Sequence, residues 1–238
     1  MFVHGLGSSG SIWNQMESLR QDLNIQTPDL PGHGKSLRSD NKCDYGFNAL
    51  WAYISDIIND TSFSETVLVL HSMSSGILPE IARGTNRPKA VAILEGNLIE
   101  DDAIWSRKIQ SMEDIEYIDW IKKFQNNAST VLKSLLVNVH NKEKIHYWSY
   151  GFKEVDPIAL KTIANEISNL TSSGAIVHAL NELSIPIIFL RGSKSLPWTE
   201  GERVLKELEI PLAFIPSSSH FPMIDNPKAV WSTILNFN

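Results

Sequence analysis

The chain has 238 residues, enough to bury one large core, and its formal net charge of −6 with no lysine or arginine cluster argues against a nucleic-acid partner. Its single cysteine, Cys43, cannot close an internal disulfide, and no charged-then-apolar leader or membrane-length apolar run is present. The expectation is a cytoplasmic protein without membrane contact.

Met1-Phe2-Val3 is a short apolar strand that runs into the glycine-rich loop His4-Gly5-Leu6-Gly7-Ser8-Ser9-Gly10. Ile12, Trp13, Met16, Leu19 and Leu23 then recur at helical spacing, with Ser11 as the expected N-cap. The loop lacks a Gly-Lys-Ser/Thr ending and a full Gly-x-Gly-x-x-Gly, so it is not a phosphate cradle. Residues 24–28 read as a strand, and Asp29-Leu30-Pro31-Gly32-His33-Gly34-Lys35-Ser36 as a turn whose glycines supply unusual backbone angles. Phe47, Leu50, Trp51, Ile54, Ile57 and Ile58 form one helical apolar stripe, a core face.

The stretch with the clearest chemistry follows. Residues 66–70 make a buried strand, small residues come next, and from Ile77 to Arg83 the spacing is helical. Ser72 sits on that corner, where its hydroxyl is pushed out at the strand's C-terminal end beside the free amides of the new helix, Met73 first among them. Residues 90–94 form another strand, tipped by Glu95 on the same edge of the sheet. From Leu98 to Leu183 helical patterns dominate, through Trp105, Ile109, Trp120, Phe124, Leu132, Leu136 and Val139 among others. Trp105, Trp120, Phe124 and Trp148 are the candidate aromatic lining of a pocket under these helices. Strands return at 186–192 and 211–216, separated by a helix over 200–208, and His220 stands between the last strand and a closing helix from Pro227.

A serine hydroxyl becomes a useful nucleophile when an imidazole takes its proton and a third group orients that imidazole. Ser72 and His220 fill two of these roles. Glu95 takes the third by elimination and by position, with Glu200 and Glu202 next in line. No His-x-x-x-His or clustered carboxylate set suggests a metal, and no cofactor is implied.

The His-Gly loop, the Asp-Leu-Pro-Gly-His-Gly turn, the Ser72 corner and His220 before Phe221-Pro222 together resemble the α/β-hydrolase family over nearly the whole chain. The resemblance implies an α/β-hydrolase fold: a mainly parallel, doubly wound sheet in a core of residues 1–97 and 184–238, with a helical cap over 98–183. It implies a serine hydrolase cleaving a small or medium apolar carboxylic ester through an acyl-enzyme, with the N–H groups of Leu6 and Met73 as the oxyanion hole. Thioester or C–C bond hydrolysis, or a binding protein without turnover, are the alternatives. His4 and His33 are structural in this pattern. The chain departs from the pattern at Leu70 and Ser74, where glycines usually flank the serine, and at Ser195, where the triad aspartate usually stands. A glutamate at the end of the strand after the nucleophile resembles the placement in some haloalkane dehalogenases, although those use an aspartate nucleophile. Family members carry further strands before the His-Gly strand; either the sheet begins at Met1, leaving an open edge that a second copy of the chain could cover, or the sequence starts inside a longer chain.

Overall fold

A computed structural model describes residues 1–59, 62–138 and 142–237. Val139 of the expected helical stripe lies outside them. The described strands are β1 (Phe2–Val3), β2 (Val67–His71), β3 (Ala90–Leu94), β4 (Ile187–Gly192) and β5 (Leu212–Ile215). All four neighbouring pairs are parallel, and the strand order in the sheet repeats the order in the chain.

Alternation along each strand sends side chains to two apolar layers. Val3, Leu68, Leu70, Val91, Ile93, Ile187 and Phe189 face one layer, while Phe2, Val69, Ala92, Leu94, Ile188 and Leu190 face the other. With both faces covered, the strands read as continuous apolar runs rather than as alternating ones. The helices, in chain order, are α1 (Asn14–Leu19), α2 (Phe47–Asn59), α3 (Leu78–Arg83), α4 (Ile104–Gln110), α5 (Asp114–Asn126), α6 (Ala128–Ser134), α7 (Lys142–Trp148), α8 (Tyr150–Glu154), α9 (Pro157–Ser172), α10 (Ala175–Glu182), α11 (Thr199–Glu207), α12 (Pro222–Asp225) and α13 (Pro227–Phe237). Leu50, Ile54 and Ile58 of α2, Ile81 of α3 and Ile176 and Leu180 of α10 fill the first layer. Met16 of α1, Val230 and Ile234 of α13, and apolar residues of α4 to α8 fill the second. The last helix of the 98–183 insertion, α10, therefore packs on α3 beside the sheet, whereas α4, α5, α6 and α8 gather over the strands' C-terminal ends. Among the described residues no helix is long and apolar enough to cross a membrane.

Two local expectations differ from the structure. Residues 24–28 form no strand: β1 is only two residues long, so one bond, from the Phe2 N–H to the Gln26 carbonyl at 2.8 Å, ties the segment to it without starting a ladder. That segment also lies along the edge of β1 that the sequence left open. The second concerns the helix after the first loop, which is a 3-10 turn at Gly10–Trp13 followed by the short α1. Ser11 does not cap it, because its hydroxyl is engaged with that of Ser9 at 2.7 Å. Asp29 takes that role from the neighbouring turn, accepting the Gly10 N–H at 2.7 Å and the Lys35 N–H at 2.8 Å.

Candidate active site

At the end of β2 the chain turns on Ser72 itself, whose φ of 54° lies in the left-handed region that serine rarely adopts. A 3-10 turn, Ser72–Ile77, leads into α3, and its opening amides, Met73 among them, have no carbonyl one turn back to bond. Leu70 keeps its place in the ladder between Val3 and Ile93 with its side chain fully buried, so the missing glycine there leaves the strand undisturbed. At the other flank Ser74 donates its hydroxyl to the His71 carbonyl at 2.8 Å. The close approach is met instead by Gly5: a Cβ on it would lie 3.0 Å from the Ser72 Cβ and 2.8 Å from His71 Nδ1.

Glu95 ends β3 in the same backbone region, with φ 50°, and its side chain is almost wholly buried. Its Oε1 accepts the Gly192 N–H at 2.5 Å and the Ser195 hydroxyl at 2.6 Å. Its Oε2 lies 3.8 Å from His220 Nδ1 and 3.8 Å from Arg191 Nη1. Burial works against the charge on this carboxyl, but His220, Arg191 and Ser195 outweigh it and hold it below the usual carboxylate range.

His220 is placed by its own backbone. The buried His71 imidazole donates Nε2–H to the His220 carbonyl at 2.8 Å, and its ring packs 5.1 Å from that of His220 and 4.9 Å from that of Phe221. Burial, and then the neighbouring His220, push the His71 imidazole well below its ordinary pKa, so it is neutral. His4 and His33 are structural, as expected. His4 Nε2 accepts the Leu30 N–H at 3.0 Å and His33 Nε2 accepts the Gly7 N–H at 3.2 Å, which leaves each Nδ1–H for a backbone carbonyl. Burial lowers these two to about 4 and about 3.

Ser72, Glu95 and His220 line one cavity of about 520 Å³, together with Leu6 and Met73. Trp105, Trp120 and Phe124 form one wall, the Trp120 and Phe124 rings stacked at 5.1 Å and Trp105 set edge-on at 6.5 and 6.2 Å. Exposed Ile104 and Leu196 and half-exposed Trp105 make the mouth apolar. Trp148 does not line this cavity. It sits on the inward face of α7 in the second apolar layer and donates its indole N–H to Asn14 Oδ1 of α1 at 2.9 Å, because α7 turns its apolar face to the start of α1 rather than to the strand ends. Glu200 is exposed and paired with Arg203, and neither it nor Glu202 reaches the cavity. Phe152, Arg191 and Trp198 line it without having been singled out in the sequence. Arg191 had a signal, since it is the one charge in the apolar run of β4 and stands at the same sheet edge as Ser72 and Glu95. No group of three or more His, Cys, Asp or Glu that could hold a metal ion occurs among the described residues.

A family model described as the alpha/beta hydrolase family matches residues 1–233. The chain belongs to that family. Among curated proteins, none matches the sequence of this hydrolase. Solved structures share its fold at low identity. An esterase from Exiguobacterium antarcticum has a TM-score of 0.75 and 12% identity, over 99% of this chain and 90% of that one. A loop variant of a haloalkane dehalogenase from Bradyrhizobium elkanii has a TM-score of 0.78 and 16% identity over 99% and 87%. An epoxide hydrolase solved without ligand has a TM-score of 0.77 and 17% identity over 99% and 89%. Hydrolytic activity follows from the family, and these likenesses show the shared fold.

Proposed function

We propose that this hydrolase is a serine esterase that cleaves small or medium, uncharged, apolar carboxylic esters through an acyl-enzyme. The observation that carries the reading is that a serine, rather than a carboxylate, occupies the turn after β2, in one cavity with His220 and the buried Glu95. In this reading Ser72 Oγ attacks the ester carbonyl while His220 accepts its proton. Glu95, on the Nδ1 side of the ring, fixes the tautomer and stabilises the imidazolium. The N–H groups of Leu6 and Met73 receive the oxyanion, and the alcohol leaves with the proton from His220. Water activated by the same imidazole then releases the acid.

The helices over the strand ends act as the cap within residues 98–183, on the core of 1–97 and 184–238. Their aromatic wall favours hydrocarbon over charge, since burying an unpaired charge there costs far more than a hydrocarbon gains. The esterase among the structural neighbours accords with this reading, whereas dehalogenation would ask for a carboxylate in place of Ser72.

The test is labelling with a fluorophosphonate followed by peptide mapping, run beside turnover of p-nitrophenyl esters. A single adduct on Ser72 and hydrolysis of neutral esters in preference to dianionic ones are expected. An adduct on Ser74 or Ser75, or no adduct and no turnover in the folded protein, refutes the reading.

A further inference from the structure

A buried carboxylate offers several acceptor directions, so the donors on each oxygen decide what the group can do for its neighbours. On Glu95 the two oxygens are unlike. Oε1 is saturated by the Gly192 N–H at 2.5 Å and the Ser195 hydroxyl at 2.6 Å, while Oε2 stands 3.8 Å from both His220 Nδ1 and Arg191 Nη1. The imidazole and the guanidinium thus compete for one oxygen.

Arg191 is held back from it. Its guanidinium lies over the Trp198 ring, 4.4 Å from the centroid, and Nη2 donates to the Leu196 carbonyl at 2.9 Å. The donors on Oε1 come from one tight turn, closed by the Ser195 N–H on the Gly192 carbonyl at 3.0 Å. That turn is locked to the loop before His220: the Lys194 N–H bonds the Ser218 carbonyl at 2.9 Å, and a Cβ on Gly192 would come within 2.4 Å of the same oxygen. Acid and imidazole are therefore referenced to one piece of backbone.

We propose that Ser195 is a positioning residue for Glu95: its hydroxyl, with the Gly192 N–H, pins Oε1 so that Oε2 is presented to His220 instead of turning into a fork with Arg191. Arg–carboxylate pairs prefer that bidentate fork. Rotation of the carboxylate about its last bond would make one with Arg191 and leave His220 Nδ1–H without its acceptor. The proposal rests on the triad reading above. It also gives the position where the family resemblance sets an aspartate a role that needs no charge.

The experiment compares wild type, Ser195→Ala and Ser195→Thr in p-nitrophenyl ester turnover and in the proton NMR signal of His220 Nδ1–H, assigned with a His220→Gln control. In Ser195→Ala, kcat falls by about tenfold, the scale of one lost hydrogen bond to a charged group. KM stays the same, and the Nδ1 proton moves upfield as its bond to the carboxylate weakens. Ser195→Thr, which keeps the hydroxyl, restores both. An unchanged kcat together with an unmoved proton signal in folded Ser195→Ala overturns the proposal, as does a rise in KM at constant kcat, which would make Ser195 a substrate contact. If the wild type proves not to be an esterase, the NMR arm still decides whether Ser195 positions the Glu95 carboxylate.

Discussion

The buried histidines that brace the two loops are expected to make this hydrolase acid-labile, and the size of the effect follows from their surroundings. His4 and His33 are fully buried, each uses its bare Nε2 to accept a backbone N–H, and burial lowers them to about 4 and about 3. In the unfolded chain both return to about 6.5. Between those values the unfolded state binds protons that the folded state refuses, so stability is fully present above about pH 6.5 and declines as the pH falls toward 4. From pH 7 to pH 5 the loss is about 2 kcal/mol for each ring, or about 4 kcal/mol for the pair, at 1.36 kcal/mol per pKa unit. Neutral His71 adds to the loss in the same direction. Against a total stability on the order of 5–15 kcal/mol, that is a large share. Urea unfolding at pH 7 and pH 5 measures it. In His33→Gln, whose side-chain amide does not titrate, the difference between the two pH values shrinks by about 2 kcal/mol, whatever the variant's absolute stability. An equal difference in wild type and His33→Gln would refute the reasoning.

Two further outcomes follow from the geometry of the site. On the proposed mechanism Glu95→Gln removes the charge that steadies the imidazolium, and kcat is expected to drop at least a hundredfold, or about 2.7 kcal/mol of barrier, in a protein with normal circular dichroism; near-normal turnover would remove Glu95 from the mechanism. Gly5→Ala puts a methyl group against His71 Nδ1 and the Ser72 Cβ, at 2.8 and 3.0 Å. Fluorophosphonate labelling of Ser72 should slow by an order of magnitude or more in this variant, because a displacement on the order of 1 Å at a reacting group costs about a hundredfold, and an unchanged labelling rate would show that the turn yields freely.

Much of this arrangement was readable in the sequence because it sits where element types change. A parallel sheet buried on both faces leaves unbroken apolar runs, and the residue at the end of each run falls on one edge; Ser72 and Glu95 were legible for that reason, and His220 by its place after the last strand. Residues 24–28 misled because a strand needs a partner as well as a composition, and β1 offers only Phe2 and Val3. Trp148 misled because helical spacing tells which residues share a face but not which neighbour that face meets. The bond between Ser195 and Glu95 crosses 100 positions of chain and left no local pattern at all.

The order of the sheet repeats the order of the chain, and this bears on how the molecule comes into being. Each strand can be laid against the one before it, so the sheet can grow outward as the polypeptide leaves the ribosome, without waiting for a late segment to thread between early ones. The chemistry is spread along the same axis. Ser72 arrives with the second strand, Glu95 with the third, the donors to Glu95 with the fourth, and His220 only after the fifth. On the proposed mechanism a growing chain thus carries its serine through the synthesis of three further strands without the imidazole that would make it reactive, and the site becomes competent only when the segment carrying His220 has docked.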